Sequence, residues 1–143
     1  MLRRSLLFGI ATCLVLSACD AGSPGVSVGP RGGLVRSDDG FVTLEVPAGA
    51  LEDSITLSIV VVQDAPVDAI GPTYSLEPFG VAFSRPAELR YDLAACSDPD
   101  PSGVGLVTER AEAWEMLGDL EIDPELGELR GSVMYTAAVA PVR

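Results

Sequence analysis

Histidine and lysine are both missing from this 143-residue chain. Without histidine there is no Ser-His-Asp or Cys-His triad, no histidine zinc site and no imidazole base. Without lysine there is no P-loop, Schiff base or Ser-Lys dyad. Cysteine is scarce too, at three residues. They are Cys13, Cys19 and Cys96, spaced too widely for a CxxC redox or zinc motif. Aromatic residues make up only 6% of the chain, with a single tryptophan. Carboxylates are the abundant chemical groups, yet no pair of them stands out, and no catalytic residue or cofactor is assigned.

The first 18 residues read as an address. Met1-Leu2-Arg3-Arg4 is a positive start, and Leu6 to Leu16 is an apolar run. That run is too short to cross a bilayer, which takes about 20 apolar residues. A positive start, a short apolar run and small residues before a cut site make a secretory signal. Leu16-Ser17-Ala18-Cys19 resembles the lipobox of bacterial lipoproteins. The resemblance implies acylation of the Cys19 sulfur, cleavage between Ala18 and Cys19, and anchoring to an envelope membrane. Inner and outer membrane stay open. Acyl chains contribute about 0.8 kcal/mol per buried CH₂, so two or three anchor a protein stably.

Removing that segment takes Arg3 and Arg4 but no acid, leaving seven arginines against 21 acidic residues, a balance of 7 − 21 = −14. Such a chain repels phosphate backbones and is not expected to bind nucleic acid. It is also expected to repel anionic lipid surfaces, so acyl chains rather than a basic patch would hold it. Cys96 is left alone, either buried or available to another chain.

Asp20 to Pro30 is rich in glycine and proline, and residues 19–31 read as a flexible tether before a domain over 32–143. Within the domain, Val42, Leu44 and Val46 alternate, as do Ile55, Leu57, Ile59 and Val61. Glu88, Arg90 and Asp92 alternate on the polar side of a later segment. About nine short strands separated by Pro/Gly/Asp turns predict an all-β fold, a single antiparallel β-sandwich. Asp123 to Gly127 is expected to be a hairpin turn.

Gly32-Gly33, the segment Val42 to Leu51 with its Pro47-Ala48-Gly49-Ala50-Leu51, the segment Tyr74 to Leu89, Trp114 and the closing Gly131 to Ala140 together resemble the ZU-five domain. This module occurs in ankyrins, tight-junction scaffold proteins and netrin receptors. The resemblance implies a ZU-five-like sandwich that binds other proteins or acts as a spacer. Some relatives cleave themselves within a His-Phe-Ser segment. The matching stretch here is Met134-Tyr135-Thr136, without the histidine, which leaves Thr136 as the one possible attacking hydroxyl.

Three functions follow as expectations. The leading one is a membrane-anchored, non-enzymatic module that contacts the bilayer through Cys19 and another envelope protein through its sandwich. The second is a carbohydrate- or calcium-binding module, with Trp114 and Tyr91 as a stacking platform and Asp38-Asp39 or Asp98-Pro99-Asp100 as oxygen donors. The third is a carboxylate-based hydrolase.

Overall fold

The computed structural model describes residues 24–143. Ala18, Cys19 and the lipobox lie outside the described residues. Eleven strands form two antiparallel sheets that pack face to face. The six-stranded sheet runs β1 (Val26–Val28), β4 (Ile55–Val62), β5 (Thr73–Glu77), β11 (Ala138–Val142), β7 (Gly105–Arg110), β8 (Ala113–Met116). The five-stranded sheet runs β2 (Gly33–Arg36), β3 (Val42–Val46), β6 (Ala82–Asp92), β10 (Glu128–Tyr135), β9 (Glu121–Asp123). The expected all-β sandwich is therefore present, with eleven strands rather than about nine.

Period-two alternation sends one side of each sheet inward. Val42, Leu44 and Val46 of β3, Leu57 and Ile59 of β4, and Leu89 and Tyr91 of β6 are all buried in one core. Glu88, Arg90 and Asp92 face outward beside Glu45, Glu128 and Arg130. There Arg90 pairs with Glu45 and Glu88, and Arg130 with Glu128 and Asp123.

One finding corrects the sequence reading. The tether proposed over residues 19–31 is too long. Val26–Val28 pairs in register with Leu57, Thr56 and Ile55, and Val28 is fully buried. A strand of three residues flanked by Gly25 and Gly29-Pro30 carries almost no periodic signal, and pairing with β4 supplies what its own sequence does not. β6 is one strand from Ala82 to Asp92 and runs straight through Pro86. The ladder tolerates this proline because pairing with β3 stops at Glu88, while the register against β10 slips between Val133 and Tyr135.

The segment Pro47 to Leu51 becomes a turn that binds the chain's own backbone. The Gly49 amide, at φ +82°, donates to Pro30 O at 2.9 Å, and Ala50 O accepts from the Ser84 amide. Arg85 closes the same corner by donating to Ala48 O. One end of the sandwich is thereby built from residues 29–32, 47–51 and 78–81, and the other from residues 37–40, 63–72 and 93–103.

Candidate functional site

The proposed stacking platform is not assembled. Tyr91 is fully buried on β6. Its ring meets Tyr74 of the opposite sheet edge-to-face, with centroids 5.6 Å apart, and its hydroxyl donates to Pro72 O at 2.8 Å. Trp114 lies on edge strand β8, packed on a separate small cluster of Val107, Ala140 and Val142. Tyr91 belongs to the main core and Trp114 does not, so the two cannot grip one ligand.

The Tyr74–Tyr91 pair ties the sheets together instead. Tyr74 donates to Asp39 Oδ2 at 2.7 Å, and Asp39 Oδ1 accepts from the Ser37 hydroxyl and the Phe41 amide. Burial alone would raise the Asp39 value, but the bonds from Ser37, Tyr74 and Phe41 outweigh it and hold the carboxyl below its ordinary value. Desolvation, then the Asp39 carboxylate, push the Tyr74 phenol far up. Cys96 is buried beside them, which raises its thiol, and this resolves the two fates open for it in favour of the interior.

A pH prediction follows. The folded state holds the Asp39 proton less tightly than the unfolded chain does. The stability gained there is complete above the ordinary carboxylate value of about 4 and is lost as the pH falls through the depressed value. Asp39→Asn should therefore be less stable than the wild type at pH 7. Denaturant titrations at decreasing pH should show that gap closing below about pH 4, and a constant gap would refute the assignment.

The acidic loops proposed for calcium are occupied by their own chain. Asp98 accepts from Arg143 Nη1 at 2.7 Å and from the Asp100 amide, and Asp100 accepts from the Ser102 amide. Asp39 serves the turn just described. Among the described residues no group of three or more His, Cys, Asp or Glu is placed to hold a metal ion. A carboxylate hydrolase needs one acid whose value is raised. Asp39, Asp98, Asp100 and Asp119 are all held low, Asp98 by Arg143, Asp100 by the Ser102 amide and Asp119 by Ser132. A groove of about 160 Å³ between β8 and β10 holds one carboxylate, Glu115, among Met116, Leu117, Val133 and Met134.

Thr136, the residue considered for self-cleavage, is fully buried and fully bonded. Its hydroxyl donates to Pro78 O at 2.5 Å and accepts from the Val81 amide at 2.8 Å. Its own amide donates to Val81 O, and its carbonyl accepts from Gly80. The hydroxyl proton thus goes to a carbonyl oxygen, which cannot serve as a base. Through four hydrogen bonds, all three polar groups of Thr136 clamp the 78–81 turn, a role that sequence motif and spacing did not reveal. Thr136→Val should cost about 2 kcal/mol by orphaning Val81 N–H and Pro78 O, while Thr136→Ser should recover most of it. Urea midpoints of both variants test this.

No family model matches the chain, and no curated protein matches it.

Proposed function

We propose that this chain is a lipid-anchored module of a bacterial envelope, acylated at Cys19, whose sandwich binds a neighbouring envelope protein without catalysing a reaction. The observation that carries this reading is Leu16-Ser17-Ala18-Cys19 directly behind a positive start and a short apolar run. The missing histidine and lysine support the non-enzymatic part. The turns at residues 47–51 and 78–81, inside two of the ZU-five-like segments, support a scaffold role, since they are held by hydrogen bonds within their own chain. Only six residues, Asp20 to Gly25, separate Cys19 from β1. That favours action at the membrane surface over a long-range spacer.

Mass spectrometry of the protein purified from membranes tests the reading. The N-terminal peptide should begin at Cys19 and carry acyl mass on it. An unmodified Cys19, or an N-terminus elsewhere, would refute it. Pull-down from detergent-solubilised envelope should then recover a partner that the unacylated chain captures poorly.

A further inference from the structure

We infer that the narrow side of the sandwich formed by β1 and β2 docks on the anionic phospholipid surface to which the chain is anchored. The inference rests on acylation at Cys19 as proposed above, and it names the surface that the anchored domain presents.

The first observation is reach. β1 and β2 are the edge strands of the two sheets on the same side. Seven residue steps lead from Cys19 to Val26, and a fully extended chain covers about 25 Å in that length. The anchor therefore keeps this side near the bilayer. β8 lies across five strand spacings of roughly 4.8 Å, about 24 Å away.

The second observation is what this side displays. Leu34 is 55% exposed on the outer face of β2, and Val26 is 40% exposed on the adjoining edge strand β1. Leu34 is turned outward by alternation with buried Val35.

The third is charge. Arg31 precedes β2 and Arg36 ends it, both are exposed, and neither pairs with a carboxylate among the described residues. Arg90, Arg110, Arg130 and Arg143 all do. Arg36 reaches only Thr43 Oγ1, at 3.5 Å. The nearest acid on the next strand, Glu45, is held by Arg90; of the two acids close in sequence, Asp39 is bonded to Ser37 and Tyr74, and Asp38 is exposed. The chain repels anionic lipid through its net charge, but screening limits that repulsion to about 10 Å, and within that range this side offers two uncommitted guanidiniums. Apolar side chains beside unpaired arginines suit the headgroup–acyl boundary of an anionic bilayer.

The test uses the acylated full-length protein on phosphatidylcholine vesicles with and without phosphatidylglycerol. An environment-sensitive fluorophore is placed at Leu34→Cys or, on the far side, at Met134→Cys; the native Cys96 is buried. The label at 34 should brighten several-fold and shift to the blue on phosphatidylglycerol vesicles, and the label at 134 should not. Combining Arg31→Gln with Arg36→Gln should abolish the response at 34 with the thermal midpoint unchanged. Equal responses at both sites, no response at either, or a response that survives the arginine changes would overturn the docking surface while vesicle flotation still upholds the anchor. Failure to float with vesicles would overturn the anchor and this inference together.

Discussion

Gly32→Ala is expected to destabilise the domain by about 3–5 kcal/mol, a large share of the stability of a domain this size. Two effects combine at this position. Gly32 has φ +76°, a region that costs a residue with a side chain about 1 kcal/mol. A Cβ would also stand 2.3 Å from Val46 O, 2.8 Å from Pro47 C and 2.9 Å from Ala48 N. All three are backbone atoms, so relief requires the 29–32 turn to separate from the Pro47 turn. That movement would break the bond from the Gly49 amide to Pro30 O. Gly40 is the control, with φ +79° and no heavy atom within 4 Å of its added Cβ. Gly40→Ala should cost only about 1 kcal/mol. Guanidinium titrations of the two variants separate conformation from crowding, and similar midpoints for both would refute the crowding argument.

How much of this was legible in the sequence depended on how locally each feature is encoded. Ile55, Leu57 and Ile59 alternate with polar residues in a segment long enough to carry the period, so their strand and its inward face could be read directly. The same logic applied to β6 sends Tyr91 inward, since Glu88, Arg90 and Asp92 occupy the outer positions. A platform of Tyr91 with Trp114 therefore conflicts with parity, before any question of distance. Other features depend on partners far along the chain. Asp39 meets Tyr74 across 35 residues, and Thr136 meets Pro78 across 58. Neither aspartate in a turn nor threonine in a strand announces such a bond. Likewise, four of the seven arginines beyond Cys19 have ion-pair partners, and sequence alone does not reveal which ones lack them.

β1 is the sharpest case, and it carries the second large expectation. A chain beginning at residue 24 should retain full stability, whereas one beginning at residue 32 should lose about 4 kcal/mol. The second chain lacks Val28, whose burial contributes about 2 kcal/mol. It also uncovers Leu57 and Val35, which are 1% exposed in the intact domain, at a further cost of roughly 1 kcal/mol. Loss of Pro30 strips the Gly49 amide of its acceptor, another ~1 kcal/mol. Val28→Ala in the intact chain isolates the packing contribution and should cost about 2 kcal/mol. Equal urea midpoints for the chains starting at 24 and 32 would mean that β1 only decorates the sheet edge. The anchor proposed at Cys19 would then have thirteen residues of free length, residues 19–31, and the domain would have no reason to ride with its β1–β2 side against lipid. With Cys19 acylated as proposed, the stability of a three-residue strand thus decides whether this domain would work in contact with a membrane or at a distance from it.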